Sequence, residues 1–140
     1  MKKKITRIIF ILVAALSFCA CSNEDDIDEI FTGRNWTLAF IQEGNDKSTP
    51  KNGDYTIVFN GSTFTLTTPA YATVTGNWQA DGESRSFRCS NIKTTGNINS
   101  DNTANKMKQL LQNANSYAGD SNWLQIIVQT GNVFMQFHNK

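Results

Sequence analysis

The stretch Tyr55-Thr-Ile-Val-Phe-Asn-Gly-Ser-Thr-Phe-Thr-Leu-Thr67 decides the fold. Apolar and polar residues alternate on both sides of Asn60-Gly61. Asn-Gly is the strongest short hairpin signal, because a type I′ turn needs positive φ at both central residues. A two-residue loop there pairs Phe59 with Ser62, Ile57 with Phe64 and Tyr55 with Leu66. Tyr55, Ile57, Phe59, Phe64 and Leu66 then share one face, and Thr56, Val58, Thr63, Thr65 and Thr67 share the wetter one. Turn chemistry and apolar parity agree on a half-buried antiparallel ladder.

Working outward, the same logic recurs. Upstream, residues Asn35 to Gln42 alternate, with Trp36, Leu38 and Phe40 on one face and Thr37, Ala39 and Ile41 on the other, before a polar loop from Glu43 to Asp54. Downstream, Asp81-Gly82 marks a second hairpin. A two-residue turn sets Trp78 opposite Arg85, Gly76 opposite Phe87 and Val74 opposite Cys89, with Phe87 over the bare backbone of Gly76 and Arg85 able to stack on Trp78. Asn91 to Asn102 reads as a long amide- and hydroxyl-rich loop with room for one short strand.

The helix signal follows. Ser100 or Asp101 can cap it, Ala104, Met107, Leu110, Leu111, Ala114 and Tyr117 or Ala118 recur at three- and four-residue spacing, and Gly119 suits the C′ position. Trp123 to Thr130 and Val133 to Asn139 flank Gly131-Asn132, a third hairpin that sets Val128 opposite Met135 and Ile126 opposite Phe137. Ile127 and Phe134, on its back, are too apolar for a fully wet surface and predict partial cover, by the helix for instance. The whole predicts a mainly β, α+β domain. Seven or eight antiparallel strands form a small barrel or strongly curved sheet, with one helix inserted before the C-terminal hairpin.

The chain ahead of this domain has a different character. Lys2, Lys3, Lys4 and Arg7 precede an uncharged apolar run, Ile8 to Phe18, that is too short for a permanent span. Ala20-Cys21 then resembles a bacterial lipobox. The resemblance implies cleavage after residue 20 and lipidation of Cys21, with enough acyl chains for stable anchoring. Ser22, Glu24, Asp25 and Asp26 resemble the acidic export signal of Bacteroidota surface lipoproteins, and as chemistry they open a solvated, self-repelling tether. The expected organisation is a signal peptide at 1–20, a lipidated acidic tether at 21–30 and one domain at 31–140. Its expected location is the outer membrane, lipid-anchored and displayed on the cell surface, the alternative being the periplasmic face.

Charge excludes one partner class. The formal net charge is +1, but without residues 1–20 there are 9 Lys/Arg against 12 Asp/Glu, and no basic stripe marks a nucleic-acid binder. With Cys21 lipidated and Cys19 removed, Cys89 is the remaining thiol, so no internal disulfide forms. Its place in an alternating run makes it a core residue. The one histidine, His138, has no sequence relation to Cys89, so the chain is read as a non-enzyme. No His/Cys cluster or calcium-loop pattern calls for a metal, and no cofactor is implied.

What remains is binding. Trp36, Tyr71, Trp78, Trp123 and Arg85 are the candidate ligand residues, for a glycan or a small apolar ligand, although aromatic side chains are also what a core of this size needs. The rival reading is a structural subunit docking on another envelope protein. Gly33-Arg-Asn-Trp36-Thr-Leu38, Gly76-Asn-Trp78 and the helix from Met107 to Tyr117 resemble the META family of bacterial lipoprotein domains. The opening and the aromatic alternation are also similar to lipocalin-like domains of Bacteroidota. Both likenesses imply a small β fold, and an uncharacterised Bacteroidota lipoprotein family is the expected home.

Overall fold

The computed structural model describes residues 24–130 and 132–140, so Cys21, Ser22 and the expected signal peptide lie outside the described residues. The elements in chain order are α1 (Ile27–Phe31), β1 (Trp36–Glu43), β2 (Asp46–Ser48), β3 (Thr56–Asn60), β4 (Thr63–Thr67), β5 (Thr73–Asp81) and β6 (Ser86–Thr95). Then come α2 (Asn102–Asn113), β7 (Ser116–Gly119), β8 (Trp123–Val128) and β9 (Val133–Asn139). All nine strands pair antiparallel in one sheet ordered β2-β1-β3-β4-β5-β6-β7-β8-β9, and β1 also pairs with β9. The sheet therefore curls into a ring, with β2 folded back on the far half of β1. Strands β2 and β7 carry the count past the seven or eight expected.

Two joints in the ring are narrow. Strands β1 and β3 share Trp36↔Ile57 and Thr37↔Thr56, while β6 and β7 share Ser86↔Ser116. Helix α2 packs against β6, β8 and β9 beside the second joint. Asp101 caps α2, its side chain accepting from Ala104 N–H, and Ala104, Met107, Leu110 and Leu111 are buried. The helix stops at Asn113 rather than continuing to Tyr117 or Ala118, because Ser116 to Gly119 pair with Gly119↔Leu124 through Ser116↔Ile127 as β7. Tyr117 is buried as expected, but from a strand.

The hairpins keep their faces and shift their partners. Phe59 faces Phe64 rather than Ser62, across Gly61-Ser62, with Gly61 at φ +59°. Ile126 faces Met135 rather than Phe137. Trp78 faces Cys89 rather than Arg85, because residues 82–85 form a four-residue turn with Arg85 at φ +58°. Each of these slips is even, so the inward side chains stay inward. Val74 faces Thr94 rather than Cys89, because an irregularity opposite Thr75 to Asn77 adds one residue to β6, with Asn91 at φ +53°. Gly76 is indeed roofed by an aromatic ring, but by Phe64: a Cβ there would lie 2.8 Å from Phe64 Cε1. A β-bulge between Leu38 and Phe40 breaks the alternation expected of β1 and turns Ile41 inward and Phe40 outward. Phe40 meets Phe134 edge-on at 6.0 Å and lies under Lys47 at 4.2 Å, so β1, not the helix, shelters the back of the last hairpin at Phe134.

The acidic stretch is not a free tether over its whole expected length. Asp26 caps α1, its side chain accepting from Glu29 N–H, and Ile30 and Phe31 are buried. Asp25 is held more tightly. Its N–H donates to Gly82 O at 3.1 Å, and its Oδ2 accepts from Arg85 Nε at 3.1 Å and Tyr117 Oη at 2.8 Å. A Cβ on Gly82 would sit 2.1 Å from Asp25 O, so the close approach requires glycine there. Burial first, and then the Asp25 carboxylate, push the Tyr117 hydroxyl well above its ordinary pKa. Phe31 enters a box of aromatic rings, with centroids 5.1 Å from Phe59, 5.0 Å from Trp78, 5.6 Å from Phe87 and 5.0 Å from Tyr117. The fold thus begins by Asp25, and the apolar residues among the charges explain why: Ile27, Ile30 and Phe31 fall on one helical face.

Candidate functional site

Away from the Asp25 latch, three loops converge. The β2–β3 loop brings Thr49, Lys51 and Asn52, the β4–β5 loop brings Thr68, Pro69 and Ala70, and the β6–α2 loop brings Asn97 and Ser100 to Thr103. Together with Tyr55 they line a cleft of about 690 Å³. Strand β5 starts beside this cleft and ends beside the latch, so the two features occupy opposite ends of the ring.

Local chemistry fixes the loops. Thr68 N–H donates to Ala72 O and Tyr71 N–H to Thr68 O, both at 2.9 Å, which closes the β4–β5 loop on itself. Gly53, at φ +127°, seats the β2–β3 loop on Pro69, whose Cβ would lie 3.0 Å from an added methyl. Tyr55 Oη donates to the Asp101 carboxylate at 2.7 and 2.8 Å, tying the first residue before β3 to the cap of α2. Burial, and next the Asp101 acceptor, push Tyr55 up to about 12.

Two details distinguish this cleft. Thr68 is 3% exposed and its Oγ1 has no hydrogen-bond partner, an orphaned hydroxyl in the cleft wall. The next residues of the same loop hold Tyr71 87% exposed at φ +67°. A non-glycine residue in that region is strained, and such strain concentrates at binding sites. Smaller hollows of about 310 Å³ beside β5–β6 and 370 Å³ beside α2 have no orphaned polar atom in their walls.

The five candidate ligand residues do not form one site. Trp36 is fully buried and Trp78 is 8% exposed, and both lie in the core with indole N–H groups that lack partners. They have no face left for a ligand, since the inward side of a closed ring is where its core must lie. Arg85 lies in the β5–β6 turn, bound to Asp25, and not on Trp78. Trp123 is 39% exposed at the start of β8, opposite His138. Tyr71 alone belongs to a cleft-forming loop, next in sequence to the lining residues Thr68 to Ala70 but not itself in the wall. Of the expected export residues, Glu24 is exposed, while Asp25 and Asp26 hold the latch and the α1 cap. Sequence reading missed Tyr55–Asp101 and Thr68 as site residues. Position in polar loops was the available signal, and it does not say which loops meet.

Chemically the cleft offers hydroxyls, amides, one lysine and a carboxylate already engaged by Tyr55. It holds no nucleophile paired with a base. Cys89 is a buried free thiol pushed up to about 12 by burial, and His138 is exposed. Among the described residues no group of three His, Cys, Asp or Glu side chains is placed to hold a metal ion, and no helix is long and apolar enough to cross a membrane.

Fold and cleft together define a small closed antiparallel β domain with a polar loop site at one end and a latched segment at the other. The chain belongs to the DUF4847 family, a domain of unknown function, whose model matches residues 22–139. The crystal structure of a DUF4847 family protein from Bacteroides vulgatus ATCC 8482 is similar to it, with a TM-score of 0.62 and 26% identity over 81% of this chain and 96% of that one. No curated protein matches the chain.

Proposed function

We propose that this chain is a lipid-anchored outer-membrane protein of the cell surface whose β domain binds a glycan, without catalysis, in the loop cleft. The observation that carries the reading is Tyr71, an aromatic ring held almost wholly in solvent at a strained φ on the loop that also supplies Thr68. A flat apolar face beside hydroxyl and amide groups matches a sugar, which presents C–H patches between hydroxyls. A small apolar ligand fits less well, because the ring interior is filled by Phe31, Phe59, Phe64, Phe87 and Phe137, each at most 1% exposed. The anchor reading rests on the Lys-rich start, the apolar run and Ala20-Cys21, and the surface reading on Ser22, Glu24, Asp25 and Asp26.

The test is a glycan array followed by titration calorimetry on the purified chain. Binding to at least one oligosaccharide class, weakened about ten-fold by Tyr71→Ala, supports the reading, since an aromatic anchor is worth about 1–2 kcal/mol. The competing reading is a structural subunit docked on another envelope protein, favoured by the exposed Trp123 outside the cleft. Crosslinking in cells that captures one stoichiometric protein partner through the Trp123 side, with no glycan bound, would replace the glycan site by that interface.

A further inference from the structure

We infer that the end of the ring built from α1, the β3–β4 turn and the β5–β6 turn is the face that rests against the lipid surface, so that the cleft points away from the membrane. This rests on the proposed lipidation of Cys21. The geometry is set by where the fold seizes the chain. Asp25 is pinned to Gly82, Arg85 and Tyr117, and α1 follows it directly, with Phe31 locked among four rings. Between Cys21 and Asp25 lie four peptide steps, which span at most about 14 Å when fully extended. Strand β5 covers nine residues from the cleft loop to the latch turn, a rise of about 26 Å. The leash is therefore about half the length of the domain along that axis. It is too short for the domain to invert and stand on its cleft end while the latch is closed.

A tether that ran free to residue 30 would roughly double its reach and leave the domain free to tumble. The latch removes that freedom without adding an anchor. The neighbouring side chains oppose insertion, since Glu24, Asp26, Asp28, Glu29, Asp81 and Glu83 are exposed and acidic. The surface contact is accordingly set by the acyl chains and the short leash, and not by burial of protein in lipid.

The test uses the full chain expressed with its own leader, extracted in detergent and reconstituted in vesicles of phosphatidylethanolamine and phosphatidylglycerol containing a headgroup quencher. A fluorophore is placed through Glu83→Cys at the latch end or Asn52→Cys at the cleft end, both exposed, Cys89 being buried. Several-fold stronger quenching at residue 83 than at residue 52 is expected, and Gly82→Ala, which pushes Asp25 out of the latch, narrows the difference. An acylated protein quenched equally at both positions overturns the orientation and leaves the anchor standing. A chain without acyl mass on Cys21 by mass spectrometry overturns both.

Discussion

The two ends of the ring are closed by different physics. At the latch end, Phe31 is fully buried against four aromatic rings, and Asp25 donates its own N–H to Gly82 O while its carboxylate accepts from an arginine and a tyrosine. At the cleft end, polar loops meet over about 690 Å³ of open space, held by Tyr55–Asp101 and by loop contacts at Gly53 and Pro69. Apolar burial is strong and indifferent to ligand, while a wet polar rim contributes little stability and can be spent on recognition. Stability and binding should therefore separate by end, and substitutions can break or sharpen that division.

The largest effect belongs to Phe31→Ala. Removing a fully buried ring costs about 3–5 kcal/mol, the transfer loss plus the cavity left among Phe59, Trp78, Phe87 and Tyr117. Urea unfolding should show it as a lower midpoint with an unchanged slope, and glycan affinity per folded molecule should not move. A loss below about 1 kcal/mol would mean that α1 is a dispensable appendage and that the latch end is not closed as described.

Asp25→Asn comes next. It keeps the shape of the side chain and its backbone bond to Gly82, but removes the charge that Arg85 and Tyr117 share. Hydrogen bonds to a charged acceptor are worth about 1.5–3 kcal/mol where they are shielded, and the exposed Arg85 lowers its share. Thermal unfolding measures the loss. The same variant bears on display, because an export signal that needs the acid for recognition predicts retention inside the cell even where the protein is folded. Equal surface labelling of the folded variant would leave Asp25 with its structural role alone.

Tyr55→Phe probes the other end and should cost about 1 kcal/mol, since its acceptor lies at the rim of an open cleft. The alkaline limb carries the sign. A tyrosine whose folded pKa stands near 12 keeps its proton after the unfolded chain has lost it. Its contribution is complete below about pH 10 and is lost as pH rises through about 12. Stability of the wild type should fall over that window, and Tyr55→Phe should flatten part of the fall, leaving the part due to Tyr117. An unchanged slope would detach Tyr55 from Asp101.

Much of this division was legible in the sequence, and the unread parts share physical causes. Parity was read correctly because burial on one face punishes any odd slip, so Phe59, Phe64, Phe87, Ile126 and Phe137 were placed inward without knowing their partners. Offset was not, because an even slip leaves the hydrophobic pattern intact and only the turn geometry decides it, as at Gly61-Ser62 and in the Gly82–Arg85 turn. Bulges such as the one between Leu38 and Phe40 have no reliable local signature. Helix α1 was masked by its own charges, although Asp26 as cap and Ile27, Ile30 and Phe31 at helical spacing spelled it out. The cleft is of a third kind: its parts come from loops at residues 49–55, 68–70 and 97–103, and their meeting is a property of the closed ring alone.

The smallest change in stability, and the sharpest test of the division, comes from Tyr71. Glycine adopts positive φ without the steric penalty that a side chain bears there, and Tyr71 stands at φ +67° with its ring 87% exposed, so the ring contributes little packing in return. Tyr71→Gly should therefore raise stability by about 0.5–1 kcal/mol, the relief of strain being partly offset by the greater freedom of glycine in the unfolded chain. Tyr71→Ala keeps the strained backbone and should leave stability within about 0.5 kcal/mol of wild type. Both should lose glycan affinity together, because the aromatic face is absent from each. A position where the natural residue lowers stability and its removal weakens binding is one retained for contact. If instead Tyr71→Ala binds as the wild type does, the exposed ring plays no part in recognition, and the cleft end differs from the latch end only in being less well packed.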